Sequence, residues 1–299
     1  KNKIFLNSLR DEQNKYTWKN THVNIVKLSQ EIKKYTQEGD RCLIISENRP
    51  EWMITDLAIM LSSCITVPAY TTYTERDYEY IINDCSPSII FVSDSIQYSK
   101  IKNIIPNKNF IKKVIIFDKI NNLDNDLNLN ISKIFENNEK IDDVDFLKLN
   151  ISRKDPACII YTSGTQGNPK GVILSHGGIL NNCEGSCELL KPIVSNKDAR
   201  FLTWLPLSHS YEHTVQFVQI AVAAKVFYAE SIEKLIKNMN DCSPEIMTAV
   251  PRFYQNLYQK IKANFNKVKG FKKILINETI RLGSKKMKKE KLIFNEIIL

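Results

Sequence analysis

The sequence lacks an uninterrupted apolar stretch of the length that crosses a lipid bilayer. Its longest apolar run, residues 53–67, is interrupted by Asp56, Ser62 and Ser63, whereas a membrane helix needs about 20 consecutive apolar residues. The chain also opens with Lys1 and without the basic and apolar segments of a secretory signal. These absences predict a cytoplasmic protein.

The seven cysteines lack the arrangement of a disulfide framework. Their number is odd and they are scattered, several of them within apolar runs, where a free thiol behaves as a small hydrophobic side chain. Cys183 and Cys187 lie close together in a predicted helix, but no histidine or second cysteine pair accompanies them to complete a metal site. The cysteines therefore predict a reducing compartment and give no support to a cysteine-bound metal.

An arginine-rich stripe is also missing, although the formal net charge is +9. This basic excess has two interpretations: an anionic partner such as a membrane surface or a polyphosphate, or a compositional habit that also makes the chain rich in Ile and Asn. Proteins that bind nucleic acids cluster their arginines and interleave basic patches with aromatic residues. No nucleic acid partner is therefore expected.

Short apolar runs alternate with helical patterns along the chain, and a hydrophobic content of 43% is sufficient for a large core. The runs that predict strands are residues 42–45, 65–67, 88–92, 114–117, 158–161, 201–205, 226–228 and 246–250. Helices are predicted to begin at Pro50, Thr74 and Pro251, and to span 175–190 and 212–223. Strands that are apolar on both faces and separated by helices are typical of α/β proteins, in which mainly parallel sheets are flanked by helices.

Two segments leave alternative interpretations open. Residues 118–150 are rich in Asn and Asp; they predict a long connection with one helix around 131–135, either a domain boundary or a surface excursion within one domain. The basic run 285–291 lies in a helical pattern that is typical either of peripheral contact with the inner membrane surface or of a solvated helix face. The final residues carry no Gly or Pro stop signal, so the chain is expected to continue past Leu299.

One segment combines the groups that bind phosphate. Residues 161–171 read YTSGTQGNPKG and lie between a predicted strand and a predicted helix, the position at which α/β sheets bind ligands. Its hydroxyl groups donate to phosphate oxygens, its glycines let main-chain amides approach closely, and its lysine adds a mobile positive charge. The candidate phosphate-binding residues are Thr162, Ser163, Gly164, Thr165, Gln166, Gly167 and Lys170.

The same segment lacks the Gly-Lys-Ser/Thr ending of a P-loop nucleoside triphosphatase, because Pro169 and Gly171 flank its lysine. It also lacks the glycine spacing of a dinucleotide-binding fingerprint. A P-loop triphosphatase, which would release ADP and phosphate, is therefore disfavoured.

Residues 161–171 closely resemble the phosphate-binding motif of the acyl-adenylate-forming superfamily, the AMP-dependent synthetases and ligases. The usual motif has a second threonine where this chain has Gln166, whose amide still donates to phosphate. Weaker similar blocks extend the resemblance along essentially the whole chain, at 48–52, 67–73 and 205–209. Residues 250–261 look most like the long-chain acyl-CoA synthetase branch.

The resemblance implies an incomplete N-terminal adenylation domain with two α/β subdomains, one over roughly 40–190 and the other over roughly 1–39 plus 196–299. The later parts of the family pattern are absent: a Tyr-Gly-x-Thr-Glu block, the aspartate that binds ribose, the hinge and the mobile C-terminal domain. The chain is therefore expected to represent about the first half of an enzyme and to be inactive alone.

The resemblance also implies the reaction and the roles of individual residues. A long-chain fatty acid attacks the α-phosphate of ATP in the presence of Mg²⁺, giving acyl-AMP and pyrophosphate, and the thiol of coenzyme A then displaces AMP. The loop would hold the β- and γ-phosphates, with Thr162 also helping to ligate Mg²⁺. His209 would lie beside the acyl carboxylate as the catalytic candidate, and Glu212 and His213 would share the acyl and adenylate pocket. A structural role stays open for each of these three.

Two alternative functions remain open. The acceptor thiol would belong to an acyl carrier protein or another carrier, or the chain would be a non-catalytic fragment that binds nucleotide or lipid. The ligases differ from one another in the absent domain, whereas the non-catalytic fragment would lack the downstream blocks altogether.

Overall fold

The computed structural model describes residues 2–120, 123, 125–137, 149–162, 169–194 and 199–288. The chain divides into two compact units, residues 1–248 and 249–299. The first unit contains both β-sheets and the second contains two helices.

Strands and helices alternate through the first unit, as the apolar pattern predicts. The strands are β1 (Ile4–Ser8), β2 (Lys15–Thr17), β3 (Arg41–Ile45), β4 (Ile65–Ala69), β5 (Ile89–Val92), β6 (Lys113–Ile116), β7 (Asn128–Asn130), β8 (Pro156–Thr162), β9 (Lys170–Ser175), β10 (Arg200–Thr203), β11 (Lys225–Tyr228) and β12 (Ile246–Met247). The helices are α1 (Trp18–Lys33), α2 (Pro50–Leu61), α3 (Glu75–Cys85), α4 (Ser95–Ser99), α5 (Ile131–Glu136), α6 (His176–Leu190), α7 (Ser210–Ala221) and α8 (Leu235–Cys242).

The strands form two mainly parallel sheets. The larger sheet has the order β7-β6-β5-β3-β4-β8-β9, and only its β8–β9 pair is antiparallel. The smaller sheet has the order β12-β10-β11-β1-β2, and only its β1–β2 pair is antiparallel. The predicted α/β fold class, with mainly parallel sheets flanked by helices, is confirmed.

The inner strands of the larger sheet are buried on both faces, which explains why they are apolar at successive positions. Cys42 and Ile44 of β3 contribute to a core shared with α1, α2 and the smaller sheet. Leu43 and Ile45 contribute to a second core with α3. Because successive side chains of a strand point to opposite faces, a strand of this kind requires a cover on each side.

Helix starts follow the predicted signals. The Thr74 hydroxyl accepts a hydrogen bond from the main-chain N–H of Asp77, and the Asp77 carboxylate accepts one from the N–H of Thr74 at 2.8 Å, which is a capping box. α3 ends at Ser86, whose φ of 45° lies in the left-handed region. Pro50 occupies the first turn of α2, where its fixed φ suits a helix and its missing N–H leaves no hydrogen bond unmade.

The polar segment 118–150 contains a strand that the sequence does not predict. β7 pairs in parallel with β6 and immediately precedes α5, which confirms the helix predicted at 131–135. Only three residues long and placed at the sheet edge, β7 has too little buried surface to produce an apolar pattern. The two subdomain boundaries stay predictions; the strands of the larger sheet lie within 41–175 and those of the smaller sheet outside this range.

Two glycines of α6 are expected to respond oppositely to alanine. A Cβ at Gly177 would lie 2.7 Å from the carbonyl oxygen of Arg153, so Gly177→Ala is expected to destabilise the chain by about 1–3 kcal/mol. A Cβ at Gly185 would meet nothing within 4 Å beyond its own stretch of helix, and Gly185→Ala is expected to stabilise by about 0.5–1 kcal/mol. Urea unfolding of both variants measures the difference; equal effects would contradict the close approach at Gly177.

The second unit consists of α9 (Pro251–Lys267) and α10 (Phe271–Met287), and neither helix contains a buried residue. Pro251 lies in the first turn of α9, as predicted. Among the described residues of both units, no helix is at once long and apolar enough to span a membrane.

Candidate functional site

The predicted phosphate-binding segment connects the two strands of an antiparallel β-hairpin. Thr162 at the end of β8 pairs with Lys170 at the start of β9, and Tyr161 pairs with Gly171. The helix predicted at 175–190 is present as α6, and β9, which the sequence does not predict, lies between the segment and this helix. β9 is an edge strand stabilised by pairing rather than by burial: Val172 is 45% exposed, so no alternating apolar pattern marks it.

The predicted phosphate ligands fall into two groups. Thr162 and Lys170 are described, and both are exposed at the base of the hairpin. Five predicted ligands lie outside the described residues, and their roles stay predictions: Ser163, Gly164, Thr165, Gln166 and Gly167.

Two tyrosines fix the base of the hairpin to α3. The hydroxyl of Tyr161 donates to the Asp84 carboxylate at 2.5 Å, and the hydroxyl of Tyr80 donates to the carbonyl oxygen of Pro169 at 3.1 Å. Burial and the hydrogen bond to Asp84 raise the pKa of Tyr161, which keeps its hydroxyl protonated as a donor. A Cβ at Gly171 would lie 2.8 Å from the Ile159 side chain, so this position favours glycine.

The predicted phosphate-binding segment begins at the edge of the larger sheet at which its parallel strands end. β8 runs parallel to β4, with Thr66 opposite Cys158, so Thr162 lies at the same edge as the carboxyl end of β4. Ligands of open α/β sheets bind at this edge.

A cavity of about 470 Å³ lies where strands of both sheets end. The residues that line it lie at or just after the ends of β1, β3, β4, β6, β10 and β11. They are Ser8, Arg10, Asp11, Asn14, Ser46, Glu47, Asn48, Arg49, Tyr70, Thr71, Thr72, Asp118, Trp204, Pro206, Ser208, Ala229, Glu230, Ser231 and Ile232. Such a polar cleft, with an aromatic and an apolar portion, is suited to a polar ligand that also carries an apolar part.

The loop between β3 and α2 organises the charges at one side of this cavity. The buried Glu51 carboxylate accepts from Arg49 Nε at 2.8 Å, from Asn14 Nδ2 at 2.8 Å and from the Tyr16 hydroxyl at 3.1 Å. Arg49 also donates to Asp118 at 2.8 Å. Burial alone would lower the pKa of Arg49, but the two carboxylates raise it, so the guanidinium remains charged. The block 48–52 resembles the family pattern, but its sequence alone does not indicate a role for these side chains.

Asn48 in the same loop binds the main chain of the segment that follows β10 of the smaller sheet. Its Nδ2 donates to the carbonyl oxygen of Leu205 at 2.6 Å, and its Oδ1 accepts from the N–H of Leu207 at 3.0 Å. The bound segment leads into His209, the N-cap of α7, whose Nδ1 accepts from the N–H of Tyr211 at 3.2 Å. The imidazole of His209 is exposed. Its predicted position beside an acyl carboxylate stays a prediction.

Glu212 lies in the first turn of α7 with its side chain buried. Its Oε2 accepts from the Thr248 hydroxyl at 2.5 Å. Burial raises the pKa of Glu212 to about 7, against the opposing effect of hydrogen bonds from Thr248 and Thr203. A pocket role for Glu212 stays a prediction.

His213 forms a buried ion pair between α7 and α2. Its Nε2 lies 2.8 Å from Asp56 Oδ2, which also accepts from Gln216 Nε2 at 2.8 Å. Burial alone lowers the pKa of His213, but the charge and hydrogen bond of Asp56 raise it to about 10. His213 is therefore an internal cation at neutral pH that joins two helices, and its predicted place in the acyl pocket stays a prediction.

Comparison with known proteins gives a family match over nearly the whole chain. Residues 1–291 match the model of the AMP-binding enzyme family. Long chain acyl-CoA synthetase 3 of Arabidopsis thaliana is 28% identical over 298 residues, a match that covers 92% of this chain and 43% of that protein. Long-chain-fatty-acid–CoA ligase 5 of Rattus norvegicus is 30% identical over 265 residues, covering 83% of this chain and 37% of that protein.

A solved structure shows the same fold. ATP-bound MatB from Rhodopseudomonas palustris has a TM-score of 0.66 at 20% identity, and the match covers 86% of this chain and 48% of that one. The chain spans less than half the length of the two relatives named above. The predicted resemblance to acyl-adenylate-forming enzymes, with relatives among long-chain acyl-CoA synthetases, is confirmed. This protein belongs to the adenylate-forming family of AMP-binding enzymes.

Proposed function

We propose that this chain supplies the ATP-binding part of a ligase that activates a long-chain fatty acid as its adenylate and transfers the acyl group to coenzyme A. The observation that carries the proposal is the hairpin of residues 161–171, whose ends lie at the carboxyl edge of a parallel sheet. The named relatives, both long-chain acyl-CoA ligases or synthetases, support the substrate class.

In the proposed first step, a carboxylate oxygen of the fatty acid bonds to the α-phosphorus as the bond to pyrophosphate breaks. Negative charge moves onto the departing pyrophosphate, where fixed donors and cations lower the barrier most. In this proposal, the ammonium group of Lys170 and the hydroxyl of Thr162, both exposed at the hairpin base, would bind that charge. Mg²⁺ bound with ATP would supply further positive charge, and the Thr162 hydroxyl is an oxygen ligand of the type this cation prefers.

On this proposal the 299 residues alone bind ATP but do not complete the reaction. The chain covers less than half the length of the named relatives, which supports this part of the proposal. A cytoplasmic location, with the basic end of α10 near the inner membrane surface, belongs to the same proposal. Lys286 and Lys288 at that end, which are both exposed, support it.

Product analysis tests the proposal on the full-length protein. With ATP, coenzyme A and a panel of carboxylates from acetate to palmitate, we expect AMP, pyrophosphate and a thioester in equal amounts, with palmitate preferred. Release of ADP and phosphate would contradict adenylation. Thioester formation on an acyl carrier protein alone would contradict coenzyme A as the acceptor. Pyrophosphate exchange at full rate by the 299 residues would contradict their proposed incompleteness.

A further inference from the structure

The side chain of Asn48, in the loop after β3, is hydrogen-bonded to the main chain of the segment that leads to His209. The planar amide of Asn48 donates to Leu205 O at 2.6 Å and accepts from Leu207 N at 3.0 Å, so it holds both sides of Pro206 at once. Two hydrogen bonds from one rigid amide fix the direction of the main chain as well as its distance.

The two hydrogen bonds of Asn48, called the Asn48 clamp below, act together with other contacts that fix the position of His209. The side chain of Leu207 is 1% exposed in the core, and the N–H of His209 donates to the carbonyl oxygen of Pro206 at 3.0 Å. The N–H of His213 in turn donates to the carbonyl oxygen of His209 at 3.0 Å. Each step from Asn48 to the start of α7 is therefore a hydrogen bond or a buried contact.

The rest of α7 is fixed to the same helix that follows Asn48. Asp56 of α2 binds His213 and Gln216 of α7, each at 2.8 Å. α7 and the segment ahead of it are thus held at two places, by Asn48 of the loop after β3 and by Asp56 of α2. Loss of the Asn48 clamp releases the loop and leaves the helix anchored.

We infer that Asn48 is a positioning residue, which sets the place of His209 and the 205–209 segment at the acyl end of the site. The expected effect on catalysis rests on the proposed function. Asn48 lines the cavity beside Ser208, so a displacement of the segment changes the shape of the cavity directly. A small misplacement of groups that orient a substrate costs about 10- to 100-fold in catalytic efficiency.

Hydrogen exchange tests the clamp without any activity. In the 299-residue chain, Asn48→Ala is expected to speed exchange of the Leu207 amide by roughly two- to tenfold, the usual weight of one hydrogen bond. Asn48→Asp, which keeps the acceptor for that amide, is expected to speed its exchange less. Asn130→Ala is the matched control, because Asn130 also donates to a carbonyl oxygen, that of Asp118, and accepts from an N–H, that of Ser132.

Steady-state kinetics of the full-length protein test whether Asn48 affects catalysis. Asn48→Ala is expected to lower kcat/KM for the fatty acid by about 10- to 100-fold while the KM for ATP changes less than about twofold. Asn130→Ala is expected to change neither. Unchanged exchange at Leu207, or unchanged kcat/KM for the acid in an active enzyme, would overturn the inference. Faster exchange in Asn48→Ala, with a wild-type enzyme that releases no AMP from any carboxylate, would refute the proposed function and leave the clamp in place.

Discussion

Replacing Asp56 with alanine is expected to lower the free energy of unfolding by about 3–5 kcal/mol, the usual cost of removing one partner from a buried ion pair. Asp56 is 0% exposed, and one of its carboxylate oxygens accepts from both His213 and Gln216. Without this carboxylate the imidazole has to lose its proton or remain an unpaired charge inside the protein. Both outcomes destabilise the fold.

The surroundings of the pair explain why water does not replace the lost partner. The imidazole of His213 packs edge-on against Trp52 with ring centroids 5.3 Å apart, and against Phe217 at 5.4 Å. Charges attract more strongly among such apolar rings than at a hydrated surface, and they are also more costly to leave unpaired.

An exposed ion pair in the same chain provides the control. Lys191 and Glu188 of α6 lie 2.5 Å apart, but each side chain is 67% exposed. Lys191→Ala is therefore expected to change the unfolding free energy by less than about 1 kcal/mol. Urea unfolding of both variants measures the contrast, and similar small losses would show that the Asp56–His213 pair contributes no more than a surface pair.

The pH dependence of stability provides a second readout of the same pair. The pKa of His213 is raised from 6.5 to about 10, so the folded chain holds one proton more than the unfolded chain between these values. The contribution of the pair is therefore complete below about pH 6.5 and declines as the pH rises towards 10. The stability difference between wild type and Asp56→Ala is expected to shrink over this window. A difference that grows with pH would contradict a protonated His213.

The strands that could be predicted from the sequence are those marked by an apolar run of a few consecutive residues. β3 and β5 are apolar at almost every position because helices or a second sheet cover both faces, and their predicted ranges, 42–45 and 88–92, match the observed strands within one residue. β1 was missed although its Phe5 and Leu6 are buried. Its parallel partner β11 lies more than 200 residues later in the chain, and no local pattern records such a pairing.

The residues of the candidate site likewise fall into those that a local pattern marks and those whose contacts join distant parts of the chain. The hydroxyls, glycines and lysine of 161–171 are contiguous, so the sequence alone marks them as a phosphate-binding segment. The contacts of Asn48 with Leu205 and Leu207 join residues more than 150 positions apart, and they exist only once both sheets have formed. The inward direction of His213 likewise depends on which face of α7 packs against α2, which spacing from His209 does not specify.

Replacing Lys170 with alanine is expected to weaken ATP binding by roughly 10- to 100-fold, because a hydrogen bond to a charged group contributes about 1.5–3 kcal/mol. Its main chain pairs with Thr162, so the start of β9 holds it at the carboxyl edge of the sheet. In the part of the chain that the structure describes, its ammonium group forms no ion pair.

Lys154 provides a matched control for this charge. It is also exposed, and it lies two residues before β8, at the opposite end of the strand that carries Thr162. Titration of ATP into the 299-residue chain is expected to give an unchanged dissociation constant for Lys154→Ala, and the weakened one for Lys170→Ala. Equal weakening by both substitutions would indicate attraction by the overall charge of +9 rather than binding at the hairpin. Raising the salt concentration separates these causes, because screening removes a diffuse attraction before it removes a direct contact with phosphate.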